Sequence, residues 1–268
     1  MADPQGPLVF AHLQKTAGQT MREILRQRFG TNQVDLQMPP EELTEKRFRF
    51  IHRFYPKAEC FSGHAFMPWT PVGDLPGVRF FTFVREPVSR TISAYQYLTE
   101  TGKNPGPYLE WVESERNRQV SRLCGKQDLD AALEVLQNRI GFVGLTEHFD
   151  ESLVMWHRWA NDPKIEIRYK RINVSSNKAL KEEIQSSDEC MEKTREITNL
   201  DQQLYQRVKS EIYPAQKQEY GEHLAADLDA FRASLVDFEP ETANSKVGRF
   251  KRNVLFRPVW NLYRKWTA

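Results

Sequence analysis

The run Leu8-Val9-Phe10-Ala11-His12-Leu13-Gln14-Lys15-Thr16-Ala17-Gly18-Gln19-Thr20 constrains this chain more than any other stretch. Four unbroken apolar residues read as a short strand. Met21, Ile24, Leu25 and Phe29 then recur at helical spacing. A strand that feeds directly into a helix leaves the first N–H groups of that helix without partners. They point at the intervening turn together with the positive end of the helix dipole, which makes the turn an anion site. Lys15 adds a charge there, and Thr16 and Thr20 add hydroxyl donors. The turn is P-loop-like in kind but is not a Walker A loop, because Lys15 precedes Gly18 and no glycine opens it. An ordinary strand–turn–helix with a solvated lysine carries the same pattern, so a second signal is needed.

Val78-Arg79-Phe80-Phe81-Thr82-Phe83-Val84 supplies it, reading as a buried strand. The chain continues as Arg85-Glu86-Pro87-Val88-Ser89-Arg90-Thr91-Ile92-Ser93-Ala94-Tyr95, in which Pro87 suits the first turn of a helix and Val88, Ile92 and Tyr95 form its inner face. Arg85 therefore sits at the carboxyl end of a strand, where a guanidinium can grip phosphate with two hydrogen bonds, and Ser93 lies farther along the helix. Glu86 offers the competing arrangement, a local ion pair with Arg85. Arg90 either supports Arg85 or braces the helix. Two anion-directed turns on neighbouring strands suit a ligand with two separated phosphates.

The pair FAHLQKTAGQT and FTFVREPVSRTISAYQYL resembles the two cofactor signatures of sulfotransferases that use 3′-phosphoadenosine-5′-phosphosulfate (PAPS). It is most similar to the Golgi glycan enzymes of the heparan sulfate 6-O-sulfotransferase type, which carry an F-x-H-x-Q-K-T-x-G-x-T run. The resemblance implies that Lys15, Thr16, Ala17, Gly18, Gln19 and Thr20 hold the 5′-phosphosulfate and that Arg85 and Ser93 hold the 3′-phosphate. It extends to Ser62-Gly63-His64-Ala65, similar to the family segment that bears the catalytic histidine. It further extends to Asn117-Arg118-Gln119 with Leu123-Cys124-Gly125, to Gly141 through Glu147, to Asn173-Val174-Ser175-Ser176, and to Asn199-Leu200-Asp201 through Leu204-Tyr205. Ala17 stands where many relatives have glycine and Gln19 where many have threonine or serine, but both positions can bind through backbone N–H.

A length of 268 residues with 40% hydrophobic content fits one α/β domain. Strands alternating with helices imply a single three-layer domain with a mostly parallel sheet, a ligand crevice at the carboxyl ends of the strands, and a helical part from Ala179 on. Further strands are expected at Glu59–His64, Phe142–Leu145 and Ile165–Tyr169. A helix carrying Phe149, Leu153 and Trp156 separates the last two. Tyr220, Leu224, Leu228, Phe231 and Leu235 follow helical spacing as core. The domain is expected over residues 1–242, followed by a basic aromatic segment over 243–268. No apolar run reaches the ~18 residues of a membrane span, and the N-terminus does not read as a signal peptide. The expectation is a soluble, cytoplasmic protein, or one whose anchor has been removed. Cys60, Cys124 and Cys190 are scattered, which suits small core residues in a reducing compartment and no metal site.

Sulfuryl transfer needs a base to take the proton of the attacking hydroxyl. His64 is the candidate, with His12 as competitor, and Lys15 stabilises charge on the leaving phosphate. PAPS is the expected co-substrate, with no metal. The acceptor is expected to be a hydroxyl on a glycan or another partner, and Arg116, Arg118, Arg122 and Lys103 are candidates to meet an acidic sugar. Residues 243–268 carry seven bases and no acid, which leaves 31 bases against 36 acids in the body. That segment reads either as a surface for an anionic glycan, an anionic membrane or a partner's groove, or as a solvated terminal segment whose aromatic residues dock on the body. The acidic body and the lack of any known module argue against nucleic acid. A nucleotide-dependent phosphotransferase and a non-catalytic binding module remain as alternatives.

Overall fold

The computed structural model describes residues 6–170, 178–240 and 243–266, so Asn173-Val174-Ser175-Ser176 lies outside the described residues. In chain order, β1 (Leu8–Ala11) leads into α1 (Gly18–Phe29), β2 (Gln33–Asp35), α2 (Glu45–Phe54) and β3 (Cys60–Gly63). Next come β4 (Arg79–Val84), α3 (Pro87–Glu100), α4 (Tyr108–Trp111), α5 (Arg118–Cys124), α6 (Leu129–Asn138) and β5 (Ile140–Leu145). The remainder is helical: α7 (Phe149–Ala160), α8 (Lys178–Ser186), α9 (Asp188–Ile197), α10 (Asn199–Arg207), α11 (Tyr213–Tyr220), α12 (Leu224–Ser234), α13 (Ala243–Phe250) and α14 (Arg257–Trp266).

The five strands form one parallel sheet in the order β2-β3-β1-β4-β5. β1 lies at its centre, with every residue buried and Leu8 paired to both Cys60 and Arg79. The chain first builds on one side of β1, through β2 and β3, and then crosses to the other side for β4. The strand order therefore reverses around β1, and a crevice opens at its carboxyl end. Phe10 stacks on Phe81 with centroids 4.9 Å apart, and Phe81 meets Trp156 of α7 at 5.0 Å, which joins the sheet to its helical cover.

Side-chain caps mark where helices begin, Ser187 Oγ accepting from Cys190 N for α9 among them. The Glu86 carboxylate accepts from Val88 N and Ser89 N at the start of α3. Thr44 Oγ1 accepts from Arg47 N for α2, and Asp128 Oδ1 from Ala131 N for α6.

Two elements differ from the sequence expectation. Ile165–Tyr169 is no strand: Ile165 is buried and Ile167 packs on the core, but the segment pairs with no strand of the sheet. Its alternating apolar residues satisfy the burial that such a pattern demands without entering the hydrogen-bonded ladder. The three-residue strand β2 is too short to show a period and was not anticipated. The cysteines are all free.

Asp35, at the carboxyl end of β2, collects three arginines. Arg22 donates to it through Nε at 2.9 Å and Nη2 at 2.6 Å, Arg26 through Nη2 at 2.7 Å, and Arg252 of the C-terminal segment joins them. Burial alone would raise the Asp35 carboxyl, but Arg22, Arg252 and Arg26 outweigh it and hold the pKa down to about 2. The C-terminal segment is fastened further by Arg249 to Glu23 and Arg264 to Glu42. Phe256 and Trp260 sink into the core beside Phe54, Tyr55 and Phe50.

Phe81→Ala is expected to lower stability by about 3–5 kcal/mol in urea denaturation, as a large aromatic lost from a closed core does. A carboxyl whose folded pKa lies below its ordinary 3.8 stabilises the fold above 3.8 and loses that contribution as pH falls through about 2. Asp35→Asn should therefore cost on the order of 3 kcal/mol near neutrality. It should also flatten the fall in stability across that acid window, read by denaturation at a series of pH values.

Candidate active site

The turn after β1 is shaped by two non-glycine residues in the left-handed region, Lys15 at φ 66° and Ala17 at φ 60°. Left-handed residues alternating with right-handed ones turn successive N–H groups toward one concavity, and α1 begins at its rim. Thr16 Oγ1 donates to the Leu13 carbonyl at 2.8 Å, so this hydroxyl closes the turn rather than serving as the free donor expected from sequence. Among the described residues, no hydrogen bond within the protein occupies the hydroxyls of Thr20 or Ser93. Gly18 is required by close approach, since a Cβ there would lie 1.6 Å from His12 Nε2. Gln19 is exposed at the first turn of α1. Lys15 Nζ rests 4.4 Å above the Tyr97 ring of α3. Burial, and then Arg85, lower its pKa.

Arg85 leaves β4 beside that turn, and its Nη1 donates to the Lys15 carbonyl at 3.1 Å. Its backbone is held from both sides by one side chain: Gln119 Oε1 accepts from Arg85 N at 3.0 Å, and Gln119 Nε2 donates to Arg85 O at 2.9 Å. Asp201 accepts from the N–H groups of Gln119 and Val120 and so fixes the start of α5. Burial pushes the Asp201 carboxyl up to about 6. Glu147 accepts from Glu86 N at 2.9 Å and from the Tyr205 hydroxyl at 3.1 Å. Three segments of the family resemblance (around residues 117–119, 141–147 and 199–205) thus converge on one turn. The local Arg85–Glu86 ion pair does not form, because Glu86 caps α3. Arg90 is fully buried and donates to Glu115 at 2.6 Å and to Thr91 at 2.8 Å, which makes it a brace. Ser93 occupies a half-buried position on α3.

His64 follows β3, on the other side of β1. Gly63 before it has φ 115°, and a Cβ there would lie 2.3 Å from the Leu36 carbonyl. Only glycine turns the chain here without strain. His64 Nδ1 lies 2.8 Å from the His12 carbonyl, and the two imidazoles stack at 4.4 Å. A carbonyl can only accept, so Nδ1 carries the proton and Nε2 keeps a free lone pair. Burial lowers the His64 pKa to about 4; the bond to the His12 carbonyl opposes this, and Arg122 and Arg22 add to it. His64 is therefore a neutral acceptor near pH 7. His12 is more deeply buried, and its Nδ1 has no partner. Burial, then His64, Arg22 and Lys15, lower its pKa well below the ordinary range. It serves as wall and hydrogen-bond anchor for His64.

Of the four bases considered for an acidic acceptor, Arg122 reaches the His64 environment. Its Nη1 approaches Glu41 at 3.4 Å and its carbonyl accepts from Trp69 Nε1 at 3.0 Å. Arg118 and Arg122 each keep a buried Nε without a partner. Arg116 pairs with Glu113 and Glu196, and Lys103 is exposed in a loop. Sequence reasoning gave no individual role to Gln119, Asp201, Glu147 or Tyr97. All four lay inside the segments of the motif likeness, Tyr97 near the end of the FTFVREPVSRTISAYQYL run. Among the described residues, no group of His, Cys, Asp and Glu is arranged to hold a metal ion.

The profile described as the sulfotransferase family matches residues 1–215, a span that contains every residue placed at this site. The chain belongs to the sulfotransferase family, and its chemistry is sulfuryl transfer. This membership does not favour a phosphotransferase. A comparison with curated proteins gives no match.

The histidine pair makes a direct prediction. In long-range ¹H–¹⁵N spectra, His64 should appear as the Nδ1–H tautomer and stay neutral down to about pH 4. Titration near 6.5 would contradict the geometry.

Proposed function

We propose that this chain transfers the sulfuryl group of PAPS to an acceptor hydroxyl on a carbohydrate. The observation that carries the reading is the hydrogen bond from Arg85 Nη1 to the Lys15 carbonyl. It joins two anion-directed turns beside a histidine with a free lone pair. In this reading the N–H groups of the turn from Lys15 to Thr20 receive the 5′-phosphosulfate, and Arg85 with Ser93 receives the 3′-phosphate. Likeness of the Lys15 and Arg85 runs to the heparan sulfate 6-O-sulfotransferase type supports the glycan acceptor.

His64 Nε2 takes the proton of the acceptor hydroxyl as its oxygen attacks sulfur. The new O–S bond forms as the bond from sulfur to the bridging phosphate oxygen breaks, and the electron pair stays on that phosphate. In this reading Lys15 meets this charge, a preorganised electrostatic role. A pKa near 4 is low for a general base at neutral pH. Burial is the chief cause of that value, and an anionic donor opposes the smaller contributions of Arg122 and Arg22, which moves the pKa upward.

Calorimetry with 3′-phosphoadenosine-5′-phosphate, adenosine-5′-phosphate and ATP with Mg²⁺ tests the donor. Arg85→Ala is expected to weaken the bisphosphate by about 10- to 100-fold and the monophosphate far less. Preference for ATP with Mg²⁺ would remove the reading. An acceptor screen with labelled PAPS across glycans, phenols and lipids tests the recipient. His64→Ala should lower turnover by about 10²- to 10⁴-fold while leaving donor affinity within a few-fold of wild type. Unchanged turnover would take the base role from His64.

A further inference from the structure

Among the described residues, nine large hydrophobic side chains stand exposed. Trp69, Tyr97 and Val236 belong to separate parts of the chain. The other six, Val247, Phe250, Val254, Leu255, Val259 and Leu262, all lie on one unbroken helical stretch formed by α13, the π-helical turn Lys251–Phe256 and α14. They follow steps of three and four in two runs, 247, 250 and 254, then 255, 259 and 262, with Val254 and Leu255 inside the π turn. The wider π turn shifts the register between the two runs and keeps them on one face. The opposite face holds Gly248, Phe256 and Trp260 against the body, with Arg252 reaching Asp35. This stretch is therefore apolar on two sides, and only one of them is covered.

The exposed charges of the stretch, and most of those on the helix beside it, are basic. Lys246 and Arg257 are exposed on the stretch itself. It packs against α2 through Phe50 on Tyr263 at 4.1 Å and Phe54 against Phe256 at 5.2 Å. α2 and the residues just beyond it expose Lys46, Arg49, Arg53 and Lys57, against Glu45 on the helix and Glu59 beyond it. The remaining described bases of the stretch serve the body: Arg249 with Glu23, Arg252 with Asp35, Arg264 with Glu42, and Lys251 over the Tyr55 ring.

We propose that this face rests on an anionic lipid bilayer. Its six apolar side chains enter the boundary between headgroups and acyl chains, and the flanking lysines and arginines meet lipid phosphates. Charge separates this occupant from a second copy of the chain. Pairing the face with itself sets its bases against identical bases, and among the described residues no second exposed apolar stripe is available to receive it. A lipid surface supplies the opposite charge and needs no matching relief.

The full chain is mixed with vesicles of phosphatidylcholine alone and of phosphatidylcholine with phosphatidylserine, and the vesicles are sedimented. Wild type is expected to bind the phosphatidylserine vesicles, more weakly as salt rises, and at least about tenfold more weakly to phosphatidylcholine alone. The double variant Phe250→Asp, Leu262→Asp alters exposed positions only, and circular dichroism confirms that it remains folded; it is expected to lose at least about tenfold in binding. Failure of wild type to bind phosphatidylserine vesicles, or equal binding by the double variant, overturns the proposal. A solution dimer that the same two substitutions dissociate, in a chain that ignores vesicles, also overturns it and assigns the face to a second copy.

Discussion

A strand buried on both faces and hydrogen-bonded on both edges can offer chemistry only at its ends, and β1 is such a strand. Its neighbours β3 and β4 run parallel to it, so the three carboxyl ends share one edge of the sheet. Every group of the site follows from that constraint. The Lys15 turn, His64 and Arg85 leave three adjacent strands within a few residues of their ends. The Arg85 guanidinium reaches the Lys15 carbonyl, and the His64 imidazole reaches the His12 carbonyl. Both side chains thus anchor on the backbone that leaves the central strand, and this lets residues about 70 positions apart act together.

The positioning of Arg85 illustrates how the helical half serves the sheet. Gln119 brackets its peptide, Asp201 holds the helix that carries Gln119, and Glu147 holds the neighbouring Glu86 N–H. None of these groups needs to touch a ligand to matter. A buried carboxylate satisfied by two backbone N–H groups fixes a helix start with little freedom, and Gln119 turns that rigidity into a fixed path for the arginine.

What could be read in advance follows the range of the forces involved. β1, β4, α1 and α3 announce themselves through local apolar runs, helical spacing and Pro87, all short-range signals. His64 could be singled out only through its family-like segment, because a lone histidine among aromatic residues carries no local mark of chemistry. Ile165–Tyr169 misled because alternation records burial and not hydrogen bonding, and nothing local says that no sheet partner will be there. Gln119 and Asp201 were hidden for the opposite reason: their partners lie far off in the chain. Charge counting was also incomplete. The C-terminal bases look like one surplus, yet Arg249, Arg252 and Arg264 are paired with Glu23, Asp35 and Glu42, and only the contacts divide structural bases from exposed ones.

The central claim is geometric: a single doubly phosphorylated nucleotide spans two turns that the strand order brings together. A crystal structure of the protein with 3′-phosphoadenosine-5′-phosphate tests it most directly. The account predicts the 5′-phosphate in the turn from Lys15 to Thr20, the 3′-phosphate against Arg85 and Ser93, and His64 Nε2 facing the vacant sulfuryl position. A nucleotide bound away from the β1 carboxyl end, or one that leaves Arg85 without a phosphate, would contradict it.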